Sequence, residues 1–136
     1  VPTITRFEEI EAWKTARELT KMIYSITDEG KISKDFGLKD QIRRASVSIM
    51  SNIAEGFESK TQALFIRYLA IAKASAGEVR SQLYVAQDVK YLTEQQFTTL
   101  FQMAEKASRQ LSRFIAYLET HPDSHRIKED SAVYEV

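Results

Sequence analysis

The chain has 136 residues, of which 43% are hydrophobic, enough to build one domain around a core that needs no covalent staples. It has no cysteine, which excludes disulfides, thiolate zinc sites and a cysteine nucleophile, and suits a reducing compartment. Its 19 Lys+Arg balance its 19 Asp+Glu, so nucleic-acid binding would have to come from a local basic surface and not from net attraction.

In chain order, apolar residues first recur at helical spacing over about 7–28, with Ala12, Trp13, Ala16, Leu19, Thr20, Ile23 and Thr27 on one face. Lys14, Glu18, Lys21 and Ser25 form the opposite, solvated face. Residues 29–35, which include Gly30, read as a loop. A second helix is predicted over about 37–58, with Leu38, Ile42, Ala45, Ile49 and Ile53 as its core stripe and Gly56 near its end. The third runs over about 61–90 and is expected to turn Leu64, Tyr68, Ile71, Ala72, Ser75, Val79, Gln82 and Ala86 inward. At 1.5 Å per residue it would be about 45 Å long and set the length of the molecule. Thr93 followed by Gln96 forms a capping-box pattern for a fourth helix, in which Phe97, Leu100, Ala104, Ala107, Leu111, Phe114 and Leu118 repeat as heptads until Pro122. Residues 121–136 are polar and aperiodic, and read as a mobile tail beyond a domain spanning 1–120.

No stretch keeps strand-like alternation, and four Gly with two Pro are few for a β-rich chain. Four long amphipathic helices with short loops predict an all-α, antiparallel up-down-up-down four-helix bundle. No apolar run approaches membrane-spanning length and no charged-then-apolar segment opens the sequence, so the expected location is cytoplasmic, with no membrane partner.

A bundle helix needs one apolar stripe, so apolar residues on its other faces point to partners. The second helix leaves Val47, Met50, Ala54 and Phe57 on a flank headed by Arg43. The third carries Ala70, Ala74, Gly77 and Ser81 in an outward row of small residues, with Ile66 and Tyr84 nearby. Glycine inside a helix costs about 1 kcal/mol relative to alanine, so Gly77 invites a reason such as close approach of another backbone. These two rows are the candidate oligomer interface, although exposed alanines alone carry no such meaning.

Arg43 and Arg44 are the most conspicuous charged pair, and two readings stand for them. In one they contact phosphates, with Lys39 beside them and Arg67, Lys73 and Arg80 as a diffuse extension. In the other they form ion pairs, for instance with Glu55 or Glu78. Asn52, Glu55, Glu78 and Gln82 lie at the edges of the second and third core stripes, where polar groups can bond across the seam as a network. No nucleophile, helical histidine or phosphate-cradling glycine loop accompanies the two carboxylates, so the chain reads as non-enzymatic and without a cofactor. A di-metal bundle would need Glu-x-x-His pairs on its helices, whereas His121 and His125 fall beyond them around Pro122, so no metal site is expected.

Trp13-x-x-Ala16, Ile23-Tyr24, Phe36-Gly37-Leu38, Gln41-Ile42-Arg43-Arg44-Ala45, Ser48-Ile49 and Asn52-Ile53-Ala54-Glu55-Gly56 form a distinctive combination. It continues in Phe65, Tyr68-Leu69-x-Ile71-Ala72, Glu78 and Gln82-Leu83. The combination resembles the small four-helix-bundle proteins encoded within intervening sequences of bacterial 23S ribosomal RNA genes. A related branch is the accessory variability protein of diversity-generating retroelements, implied to bind nucleic acid and a reverse transcriptase. The resemblance implies a homopentameric barrel and raises the phosphate-contacting reading of Arg43 and Arg44. The resulting expectation is a non-enzymatic homo-oligomeric scaffold for structured RNA or an RNA-protein complex. The alternative is a protein-protein adaptor with no direct nucleic-acid contact.

Overall fold

The computed structural model describes residues 4–122, and the expected tail from residue 123 onward lies outside the described residues. Four α-helices follow one another: α1 Glu11–Thr27, α2 Phe36–Glu58, α3 Gln62–Asp88 and α4 Glu94–Thr120. No strand occurs among the described residues. Helices α1 and α3 each pack on both α2 and α4.

Contacts between neighbours set their directions. On α1 and α2, Thr20 reaches the Ser46 carbonyl while Arg43 reaches Thr27. Ser48 meets Ser75 at 2.9 Å on α2 and α3, and Gly56 faces Tyr68. Between α3 and α4 the ring pairs are Phe65 with Phe114 and Tyr84 with Phe97. Along each pair residue numbers rise on one helix as they fall on the other. The molecule is therefore the predicted antiparallel four-helix bundle.

Local chemistry places the helix ends. A 3-10 turn, Phe7–Glu9, precedes α1, with the Glu9 carboxylate accepting from the Thr5 amide at 2.7 Å. Ile10 is extended, so α1 begins at Glu11, later than periodicity suggested. Gly30, with φ of 70°, turns the chain into a second 3-10 turn, Lys31–Lys34, where a loop was expected. Asp35 and Thr61 cap α2 and α3 by accepting from the amides of Leu38 and Leu64. Lys90 takes φ of 63° after α3, and the Tyr91 amide returns to the Ala86 carbonyl at 2.9 Å, closing the last turn as glycine ordinarily does. The capping box of α4 forms as read, with Thr93 and Gln96 exchanging hydrogen bonds of 2.9 and 3.1 Å.

The core stripes of α2 and α4 follow the sequence: Ile42, Ala45, Ile49, Ile53, Leu100, Ala104, Ala107, Leu111 and Leu118 are buried. On α3 the reading needs correction. Leu64 and Ile71 are exposed and Tyr68 is only partly covered, whereas Phe65, Leu69, Ala76 and Leu83 are buried beside Ala72, Ser75, Val79, Gln82 and Ala86. Apolar residues surround α3, so periodicity alone does not set its rotation. Burying Phe65, Leu69 and Leu83, at roughly 1.5–3 kcal/mol each, decides which side faces inward.

Candidate interaction surfaces

Arg43 is held by the fold itself. Its Nε donates to the Thr27 hydroxyl at 2.8 Å and its Nη2 to the Tyr24 carbonyl at 3.2 Å, while the guanidinium lies 4.3 Å from the Tyr24 ring centroid. The Asp28 carboxylate is 3.9 Å away. A cation at the last turn of α1 satisfies carbonyls that the helix leaves open and complements its dipole. Thr27 donates in turn to the Ile23 carbonyl, so the arginine completes a buried chain. Arg44 is exposed and pairs with Asp40 one turn earlier at 2.8 Å. The carboxylates are thus Asp28 and Asp40, and not Glu55 or Glu78. Lys39 is half-buried at the start of α2.

The four polar seam residues do not form one network. Asn52 donates to the carbonyl and hydroxyl of Ser48, and Ser48 meets Ser75 across the α2–α3 seam. Gln82 meets only Glu78, at 3.5 Å, and its own side-chain oxygen is buried without a partner. Glu55 is exposed. The hydroxyls of Ser48 and Ser75 carry the bond between helices, a pairing invisible until the register of α2 on α3 is known.

Gly56 and Gly77 sit differently. A Cβ on Gly56 would lie 2.8 Å from the Tyr68 Cβ and 3.0 Å from the Phe65 ring, so α2 and α3 cross there because no side chain intervenes. A Cβ on Gly77 would meet only the Arg80 guanidinium, at an ordinary 3.7 Å. Packing within the chain gives no reason for Gly77.

Of the two predicted interface rows, the one on α2 is partly used inside the chain. Met50 and Phe57 pack against the core, and Phe57 also sets its ring edge against Phe65 at 6.0 Å. Ala54 is half-buried and Val47 is at the edge of exposure. The row on α3 lies open: Ala70, Ala74 and Ser81 are exposed and Gly77 is half-exposed. Beside it run Leu64, Ile71, Val85 and Val89, all 41–51% exposed. The misassigned rotation of α3 had hidden Leu64 and Ile71 in the core, so sequence reading missed half of this face.

Among the described residues, no group of His, Cys, Asp and Glu is arranged to hold a metal ion, and no helix is long and apolar enough to cross a membrane. A groove between α1 and α4 is lined by residues such as Glu18, Lys21, Met22, Ser25, Tyr91 and Gln96.

No curated protein matches the chain. Its fold is similar to the crystal structure of a protein of unknown function from the S23 ribosomal protein family of Bacteroides thetaiotaomicron VPI-5482. The TM-score is 0.71 at 24% identity, covering 77% of this chain and 95% of that one. The family model of the 23S rRNA-intervening sequence protein matches residues 8–113. With most of its length matched, including α1, α2, α3 and the greater part of α4, the chain belongs to that family.

Proposed function

We propose that this protein is a non-catalytic scaffold that self-associates through the outward face of α3 and presents basic side chains to structured RNA or an RNA-protein complex. One observation carries the association: small residues and open apolar side chains lie side by side along α3, with a glycine that packing inside the chain does not require. Small residues let another backbone approach closely, and the flanking Leu64, Ile71, Val85 and Val89 supply apolar area to bury. The resemblance to homopentameric barrels gives the expected subunit number. The family description supports RNA as a partner only through where its members are encoded.

A protein partner in place of RNA is the second reading, favoured by the internal engagement of Arg43 and the pairing of Arg44. Light scattering on a sizing column, with and without a structured 23S rRNA fragment at low and moderate salt, separates these outcomes. The scaffold reading predicts an assembly near five times the 15.6 kDa chain that shifts with RNA and releases it as salt rises. An assembly indifferent to RNA would favour the protein adaptor, and a monomer at every concentration would overturn the association.

A further inference from the structure

The arginines that stand out in the sequence are occupied, but three cations on α4 form no ion pair among the described residues. On α4, Lys106, Arg109 and Arg113 follow at spacings of three and four and share one exposed row. Among the described residues, none has a carboxylate within 4.0 Å, in contrast to Arg44 with Asp40. Glu105 stands one turn before Arg109 without pairing with it, and the other acidic residues of α4, Glu94 and Glu119, stand at its two ends.

The same row ends in a ring stack. Tyr117, one turn after Arg113, has the His121 ring lying on it with centroids 4.1 Å apart and planes 17° from parallel. The stack is held in place. His121 Nδ1 lies 2.9 Å from the Tyr117 carbonyl, which can only accept, so Nδ1 carries a proton there, and the Thr120 hydroxyl is 3.0 Å away. The backbone amide of His121 donates to the Leu118 carbonyl at 3.2 Å, and its own carbonyl accepts from Gln62 at 3.1 Å. His121 is exposed while Tyr117 is half-buried against the core, so the stack is open to solvent on its His121 side.

We infer that the outer row of α4 is a binding track for single-stranded RNA. Lys106, Arg109 and Arg113 contact successive phosphates, and the Tyr117–His121 stack receives an unpaired base. Cations in a line suit any polyanion, but the exposed His121 ring, fixed on the half-buried Tyr117 ring at the end of that line, suits a nucleobase and adds nothing for a lipid headgroup or an acidic peptide. A duplex keeps its bases stacked on each other and cannot use the rings. From Lys106 to His121 the track is about 22 Å long, enough for several nucleotides. This rests on the RNA-binding half of the proposed function, and replaces Arg43 and Arg44 as its main contacts.

The test is fluorescence anisotropy of a labelled 20-nucleotide mixed-sequence single-stranded RNA, and of a blunt RNA duplex, against the full chain over a salt series. Light scattering on each variant monitors assembly. The combined variant Lys106→Gln/Arg109→Gln/Arg113→Gln should bind the single strand at least ten-fold more weakly and reduce the slope of log affinity against log salt by about 2, at unchanged mass. His121→Ala should weaken the single strand about five-fold or more, leave duplex binding alone and keep the slope. Unaltered binding in the triple variant, with loss in Lys39→Gln/Arg44→Gln instead, would overturn the α4 track while leaving the RNA reading standing. No binding of either RNA by the unmodified chain at low salt would overturn both. Equal losses of single strand and duplex in His121→Ala would remove the base-stacking role.

Discussion

Helix α3 has two sides of similar composition and opposite use. Its inner side is closed by Gly56 of α2, by the Ser48–Ser75 pair and by Phe65, Leu69 and Leu83, all at van der Waals or hydrogen-bond distance from a neighbour. Its outer side leaves Ala74, Ile71 and Val85 exposed and Gly77 half-exposed among the described residues. The comparison shows that a glycine or an apolar side chain has no meaning by type alone. Its neighbours decide whether it serves the fold or is left for something outside it.

The sharpest way to test this difference is truncation on both sides. Leu69→Ala should cost about 2–5 kcal/mol in urea unfolding, because it opens a cavity at a fully buried position. Ile71→Ala, two residues on, should stay within about 0.5 kcal/mol for the dissociated chain while loosening its assembly. Equal losses at the two positions would mean the rotation of α3 described here is wrong.

The two glycines come next. Gly56→Ala should destabilise by about 1–3 kcal/mol, since its new methyl meets Tyr68 and Phe65 closer than carbon atoms pack, and relief requires α2 and α3 to separate. Gly77→Ala should raise the stability of the dissociated chain by up to about 1 kcal/mol through helix propensity, and weaken association. Thermal melts at concentrations above and below the assembly midpoint read both effects.

The adjacent arginines provide the same contrast at smaller amplitude. Arg43→Ala should cost about 1.5 kcal/mol, because its hydrogen bonds tie α2 to the end of α1. Arg44→Ala should change stability by less than about 0.5 kcal/mol, as expected of an exposed pair one turn apart. The smallest effect is alkaline. The Tyr91 hydroxyl donates to Asp35 at 3.0 Å, and that bond, then partial burial and the carboxylate charge, raise its pKa above the usual value. A raised folded pKa favours the neutral form, so this contribution is complete below about pH 10 and falls as pH climbs from there through the folded value. Tyr91→Phe should remove that part of the alkaline loss in pH-dependent melts.

The sequence disclosed most of the fold. Helix α4 was legible in full because heptads, a capping box and Pro122 agree, and α2 because Ile42, Ala45, Ile49 and Ile53 leave one possible inward side. Helix α3 misled because apolar residues lie all round it, so the choice between Ile71 and Leu69 depends on what α2 and α4 place opposite. The candidate surfaces were less legible for a related reason. Arg43 and Arg44 are prominent as neighbours in the chain, but the acceptors on α1 that occupy Arg43 are 16 and 19 residues away. Lys106, Arg109 and Arg113 look ordinary in the sequence, and gain interest only because they pair with no carboxylate among the described residues and lead to a stack completed by a residue beyond the helix end.

The central claim is that the outer face of α3 joins copies of this chain. It is tested most directly by comparing the mass in solution of the unmodified protein and of Ala74→Arg at equal concentration, with helix content followed by circular dichroism. Ala74 is exposed at the middle of the open row, so the substitution leaves the bundle intact. The account predicts a multimer for the unmodified chain and a folded monomer for the variant. A multimer of unchanged mass in the variant, or a monomer without any substitution, would contradict it.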